Sequence, residues 1–133
     1  MMFAALLLLS PILRAGEKLT IATFNCEFLT TPKVHMKFGL LFDITNAPPA
    51  EVLRWAKPEF RAGKMREATD TVAKLLLTFE ADVLALQEVG NRADTALLVE
   101  RLKAAGAEYP YWAVCRSYAT QTRQYNAILS KHP

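Results

Sequence analysis

The stretch that decides the fold is "ADVLALQEVGN", residues 81–91. It contains an apolar run from Val83 to Leu86 without a polar side chain, which is typical of a buried strand. The run ends in two polar residues, Gln87 and Glu88. A carboxylate is costly to bury unless it is paired or bound to a cation, so Glu88 at the end of a core strand requires an explanation.

The segments before this strand predict a strand–helix–strand unit. Residues 18–25, "KLTIATFN", alternate with β-favouring residues and predict a first strand. Residues 64–80 predict the clearest helix, because apolar side chains recur there at helical spacing. These side chains are Met65, Ala68, Val72, Leu75, Leu76 and Phe79. We therefore expect a β-α-β unit whose helix packs on a sheet that contains both strands.

Further elements are predicted on either side of this unit. A long irregular segment, residues 26–58, includes "AEVLRWA" as a short helix. Residues 93–106 predict a second amphipathic helix, with Gly106 as its natural stop. "YWAVCRS" and "QYNAILS" predict two strands joined by a hairpin connection. The fold class predicted from this order of elements is α/β.

Composition places the chain among globular proteins. The 133 residues fit one domain, and 52% apolar with 22% charged residues exclude a disordered chain. The net charge is +3, and five cations crowd residues 54–66, with Glu59 among them and Glu51 and Glu67 on either side. That cluster suits a polyanionic partner such as phosphate or nucleic acid, although a solvated charged face is the simpler explanation. Cys26 and Cys115 have no metal-ligand spacing and are expected as small buried hydrophobes, with a disulfide left open.

The N-terminus resembles a targeting segment. An apolar stretch from Phe3 to Leu9 is followed by Ser10-Pro11 and the small pair Ala15-Gly16. This run is too short to span a bilayer and matches the apolar part of a signal peptide. We therefore expect residues 1–16 to be a signal peptide, residues 17–133 to be the domain, and the protein to be exported to the periplasm or secreted, without a stable membrane span. A misassigned start and an uncut membrane-tethering leader are the alternatives.

Two predicted strands end in side chains that suit a hard cation. Asn25 closes the first strand and Glu88 closes the strand after the helix. The carboxyl ends of neighbouring parallel strands converge in one crevice. A carboxylate with a carboxamide suits Mg²⁺, or Mn²⁺, better than zinc, and a cation would neutralise Glu88. Spacing alone, however, favours the simpler interpretation that Glu88 reaches solvent while Gln87 bonds a neighbouring backbone.

Three motifs together resemble a known superfamily. "TIATFNCEFL" (20–29), "ADVLALQEVGN" (81–91) and "YNAILSKHP" (125–133) are similar, in this order, to the opening half of the endonuclease/exonuclease/phosphatase superfamily. The resemblance implies the N-terminal part of a two-sheet α/β sandwich and Mg²⁺-dependent cleavage of phosphoester bonds. It also implies that Asn25 lies beside the scissile phosphate and metal, that Glu88 binds the metal, and that Gln87 supports them.

Other features of the superfamily have no match in this sequence. Its second half supplies a catalytic His, a Gly-Asp-Phe-Asn-like segment and a closing Asp-His pair, whereas His35, His132 and Glu27 are expected here as surface residues. We therefore expect a metal-dependent phosphoesterase or nuclease of which the chain carries the first metal-binding and phosphate-orienting residues. Its substrate would be a phosphoester, with nucleic acid as one candidate, and the complete protein would be a monomer. The alternative is a catalytically incomplete fragment, or a non-enzymatic remnant that binds phosphate.

Overall fold

The structure, a computed structural model, describes residues 18–29, 47–115 and 125–133. The elements in these ranges are β1 (Ile21–Leu29), α1 (Pro49–Ala56), α2 (Pro58–Leu77), β2 (Val83–Val89), α3 (Arg92–Ala104), β3 (Tyr111–Cys115) and β4 (Tyr125–Ser130). The strands form one mixed sheet in the order β1-β2-β4-β3, so the α/β prediction is confirmed. The predicted signal peptide, His35 and the connection between the last two predicted strands lie outside the described residues.

The predicted β-α-β unit forms the first half of the sheet. β1 pairs with β2 in parallel, in register from Ile21 with Val83 to Asn25 with Gln87. β2 is antiparallel to β4, which is in turn antiparallel to β3. The strands β1, β2 and β3 therefore run in one direction. Their carboxyl ends, together with the amino end of β4, form what we call the carboxyl edge of the sheet, and the opposite side is the amino edge.

Helix α2 begins six residues earlier than the sequence pattern predicts. Pro58 stands in its first turn, where proline is favoured because its missing N–H would have no helical partner. The buried line of α2 also differs from the predicted apolar stripe, since Ala68 and Leu75 are exposed. Thr69 takes a buried position because its hydroxyl donates to the carbonyl of Met65 at 2.7 Å. The buried line consists of Met65, Thr69, Ala73 and Leu76.

The core lies on one face of the sheet. Leu84 and Leu86 of β2 are fully buried there, together with Leu98 and Leu102 of α3 and Leu129 of β4. Burial alternates along the strands, so the residues between them point to the other face. On that face Ile21 is 65% exposed, and Tyr111 and Ile128 are each 48% exposed. We call it the open face, because no element of the described residues covers it.

Asp82 holds three strands together at the amino edge. Its carboxylate accepts from the backbone N–H of Thr20 at 2.9 Å and lies 3.4 Å from the Lys131 ammonium. The bond from Thr20, helped by Lys131, keeps the pKa of the Asp82 carboxyl below its ordinary value. The stability linked to this lowered pKa is present above the ordinary pKa of about 4 and is lost as the pH falls further. His132 lies at this same edge, where its backbone N–H donates to the Ser130 hydroxyl at 3.1 Å.

The turn from β2 into α3 depends on a glycine. The N–H of Gly90 donates to the carbonyl of Leu29 at 2.7 Å. Directly after it, Asn91 caps α3, and the Asp94 carboxylate accepts from the Asn91 N–H at 3.2 Å. A Cβ atom at position 90 would overlap the Asp94 side chain. The glycine therefore makes room for the capping box that starts the helix.

The substitution Gly90→Ala is expected to lower the free energy of unfolding by about 1–3 kcal/mol, because the new methyl group displaces the capping carboxylate. Urea denaturation of the variant and the parent protein measures the change. Gly63→Ala is the matched control, since the nearest atom to a Cβ there lies 4.0 Å away in the flexible side chain of Arg66. This control should be more stable by about 0.5–1 kcal/mol, because alanine is favoured inside a helix. Equal stability of the two variants would contradict the role of Gly90.

Candidate functional site

β1 and β2 both leave their regular pairing at the same level of the carboxyl edge. After Asn25 pairs with Gln87, the next pair is Leu29 with Val89, so β1 uses four residues where β2 uses two. Glu27 and Glu88 have left-handed backbones there, with φ of 46° and 55°. Such a conformation costs a non-glycine residue about 1–3 kcal/mol and is concentrated at functional sites. The break falls where the sequence predicts the site residues.

Asn25 presents an amide donor at this break. Its Oδ1 accepts from the backbone N–H of Glu27 at 2.8 Å. A backbone N–H can only donate, so the oxygen must be the atom at that position and the amide nitrogen points elsewhere. Among the described residues this nitrogen makes no hydrogen bond, and the side chain is exposed. Asn25 can therefore donate to a ligand oxygen while its own bond to Glu27 keeps it oriented.

Glu88 lies beside this segment and is half-buried. The ladder between β2 and β4 also skips here, from Leu86 with Ala127 to Val89 with Tyr125. Burial, together with the nearby Glu88 carboxylate, raises the pKa of the Cys26 thiol to about 12. Within the ranges that the structure describes, no donor or basic side chain pairs with Glu88. The structure thus has a half-buried carboxylate near Cys26, the residue after Asn25, while a shared site of Asn25 and Glu88 stays a prediction.

Gln87 holds the two strands together just before the break. Its Nε2 donates to the Thr23 hydroxyl at 2.9 Å and to the Ala85 carbonyl at 3.0 Å. The bond to Thr23 joins β1 to β2 on the open face, and Gln87 is the residue that pairs with Asn25 in the ladder. Gln87 thus bonds neither Asn25 nor Glu88 directly, and its supporting role stays a prediction.

Sequence reasoning did not single out Asn126 as a site residue. Asn126 is exposed near the amino end of β4, pairs with Cys115 of β3, and lies at the level where β2 skips at Gln87 and Glu88. The alternation in "YNAILS" contains the signal, because it puts Asn126 on the face opposite the buried Ala127 and Leu129. The carboxyl edge therefore has a second carboxamide.

The predicted surface residues are placed as follows. Glu27 is exposed at the carboxyl edge, whereas His132 lies at the amino edge, away from Asn25 and Glu88. Both cysteines are free. Cys26 is buried as expected, but Cys115 is exposed, so the expectation of burial is wrong for it. Cys115 lies on the open face, where the described residues provide no cover.

The donors at the carboxyl edge suit a hard cation. The part of the chain that the structure describes contains no group of three or more His, Cys, Asp or Glu side chains that could hold a metal. A magnesium ion, however, uses one or two protein carboxylates and completes its shell with water and substrate phosphate. The unpaired Glu88 carboxylate fits that use, and the neighbouring carboxamides supply oxygen or N–H groups rather than soft ligands.

These features define a class of protein: an α/β chain that presents amide and carboxylate groups at the carboxyl edge of a parallel strand pair, where such folds bind ligands. The chain belongs to the Endonuclease/Exonuclease/phosphatase family, whose model matches residues 22–133. The resemblance predicted from the motifs is thereby confirmed. Members of this family are phosphoester hydrolases and are typically metal-dependent.

Neither a curated protein nor a solved structure matches the chain. Among the described residues, none of the helices α1, α2 and α3 is long and apolar enough to cross a membrane.

Proposed function

We propose that this chain carries the first cation-binding and phosphate-orienting residues of a Mg²⁺-dependent phosphoester hydrolase. The observation that supports this most is the shared break of β1 and β2. At this break the amide nitrogen of Asn25 has no hydrogen-bond partner among the described residues, and the half-buried Glu88 carboxylate, which lies near Cys26, has no ion-pair partner among them. Family membership supports the same reaction class.

The two residues would have different tasks. Glu88 would hold Mg²⁺, or Mn²⁺, which when bound supplies positive charge to the phosphate oxygens. The Asn25 amide would donate to a phosphate oxygen, and this bond gains strength as negative charge builds up there during hydrolysis. Gln87, bonded to Thr23, would keep the ends of β1 and β2 in register. Among the described residues no histidine lies at this edge to activate water, because His132 lies at the amino edge.

A second candidate function is phosphate binding without turnover. The observation that favours it is that the described ranges hold no group of three or more side chains that could bind a metal. The two candidates differ in the outcome of a turnover assay with metal. Export through residues 1–16 and a monomeric complete protein are parts of the proposal that rest on the sequence alone.

The substitution Asn25→Ala in the full-length protein is expected to lower kcat by about 100-fold with a smaller effect on KM, because its hydrogen bond matters most in the transition state. Steady-state kinetics on a phosphodiester with saturating Mg²⁺ measures both constants. Asn25→Asp is the matched variant: it can still accept from the Glu27 N–H but has lost the donor. Both variants should therefore lose kcat, and Asn25→Asp should lose at least as much as Asn25→Ala because its negative charge also repels the phosphate. A loss of affinity with unchanged kcat would rule out this role of Asn25.

A further inference from the structure

The start of α2 lies on the same edge of the sheet as the candidate site. β2 begins six residues after the end of α2, so that end lies at the amino edge and the helix runs antiparallel to β2. The 20 residues of α2 span about 30 Å, whereas the seven residues of β2 span about 23 Å. The first turns of α2, and the end of α1 before them, therefore reach the carboxyl edge.

Basic side chains cluster at an aromatic pair where α1 meets α2. The rings of Trp55 and Phe60 are 5.2 Å apart and nearly perpendicular. The Arg54 guanidinium lies 4.8 Å from the centre of the Phe60 ring, and the Lys64 ammonium lies 5.8 Å from it. We call this junction the basic elbow; its cations are Arg54, Lys57, Arg61 and Lys64.

The basic elbow has a fixed shape. Nη1 of Arg61 donates to the carbonyl groups of Trp55 at 2.6 Å and Ala56 at 2.7 Å. These bonds satisfy the last carbonyl groups of α1 and fix the angle between the helices. Arg61 and Lys64 are three residues apart, so they lie along one side of α2, and Lys57 is the N-cap residue directly before its first turn. The acidic Glu59, two residues after Lys57, falls on another side of the helix.

Carboxylates neutralise only part of this surface. Arg54 pairs with Glu51 at 3.1 Å and Lys64 pairs with Glu67 at 2.6 Å. Both pairs are solvent-exposed, and such pairs contribute at most about 1 kcal/mol, so a phosphate can displace the carboxylate. Lys57 is exposed and has no acidic partner among the described residues. The basic elbow thus has a surplus of positive charge that is open to a polyanion.

We propose that the basic elbow binds the phosphodiester backbone of a nucleic acid that continues from a phosphate held at Asn25 and Glu88. The inference rests on the proposed function, for which it names the substrate class. An anionic membrane is the competing partner, because α1 exposes Leu53. The aromatic rings that would enter a bilayer are instead packed on each other, and Lys57, Arg61 and Lys64 follow one another at the N-cap and in the first two turns of α2, which favours a phosphate chain.

The test is the binding of a fluorescein-labelled 20-base-pair DNA duplex by the full-length protein in EDTA, followed by fluorescence anisotropy at several salt concentrations. The double variant Lys57→Gln/Lys64→Gln should bind about tenfold or more weakly, and the slope of log K against log salt should fall by about two. Lys74→Gln/Lys103→Gln is the matched control. It removes the same charge from the ends of α2 and α3 at the amino edge and should bind within about twofold of the parent protein.

Two results would overturn the inference. Equal losses in both double variants would show that only net charge matters. Unchanged DNA binding by the Lys57→Gln/Lys64→Gln variant, with loss of its binding to vesicles that contain phosphatidylglycerol, would assign the basic elbow to membranes. Because EDTA prevents metal-dependent turnover, the assay is separate from the proposed function. If DNA binding depends on the basic elbow but the protein shows no Mg²⁺-dependent hydrolysis, the proposed function is refuted and the inferred binding surface is supported.

Discussion

The substitution Glu88→Gln is expected to lower Mg²⁺-dependent phosphoester hydrolysis by the full-length protein about 1,000-fold or more while leaving the fold intact. The amide keeps the shape of the side chain but removes the negative charge that would hold the cation. The fold should survive because Glu88 makes no ion pair with the residues that the structure describes. Glutamine also tolerates the left-handed backbone at this position about as well as glutamate.

Initial rates across a Mg²⁺ titration, together with thermal unfolding of each variant, measure this effect. Glu80→Gln is the matched control. Glu80 also has a left-handed backbone, with φ of 49°, but it follows α2 at the amino edge, away from the candidate site. Its substitution should change the rate by less than about twofold, as for most surface positions. Equal rates and equal metal dependence for Glu88→Gln and the parent would show that Glu88 does not hold the metal.

Residues 17–133, expressed as an isolated chain, are expected to self-associate. The open face presents Ile21, Tyr111 and Ile128, each about half exposed or more, on a sheet whose outer strands are β1 and β3. Apolar patches and unpaired strand edges of this kind bind other copies of a chain. Light scattering coupled to size-exclusion chromatography should therefore show particles several-fold larger than a monomer.

Two further variants test whether the open face causes this association. Ile21→Lys/Ile128→Lys should shift the chain toward the monomer, because the added charges resist burial. Leu53→Lys is the comparison, since Leu53 is 67% exposed on α1, away from the sheet. It should leave the association unchanged. A monodisperse monomer of the unsubstituted chain would contradict the expectation.

Local pattern was sufficient to predict the β-α-β unit. The apolar run before Gln87 and the alternation in "TIATF" are set by the burial of β2 and β1, so the periodicity reports the fold directly. The start of α2 was missed because its first turns carry exposed charges, which conceal helical periodicity. The buried position of Thr69 was missed because its hydroxyl is satisfied within the helix by the Met65 carbonyl one turn earlier, which residue polarity alone does not predict.

The sequence predicts at which edge of the sheet the candidate site residues lie, but it does not predict the backbone geometry there. Parallel strands have to end at one edge, which is why the sequence predicts that Asn25 and Glu88 lie at the same edge of the sheet. The left-handed backbones of Glu27 and Glu88 have no sequence signal, because glutamate is not a residue that favours this conformation. Asn126 was missed because its strand pairs with β2 from the other side, and single-sequence patterns do not show which strands become neighbours.

The order of strands in the sheet has a consequence for folding kinetics. β2 is central, yet its partners are distant in sequence: the contacts of Asp82 with Thr20 and Lys131 join residues 62 and 49 positions apart. Two long loops must therefore close before β2 has both neighbours, whereas α2 and α3 can form from local contacts. Topologies dominated by such distant pairings fold slowly, because the entropy of loop closure is lost before the contacts compensate for it. The edge that holds Asn25 and Glu88 is thus assembled late, and partly folded chains would not contain it.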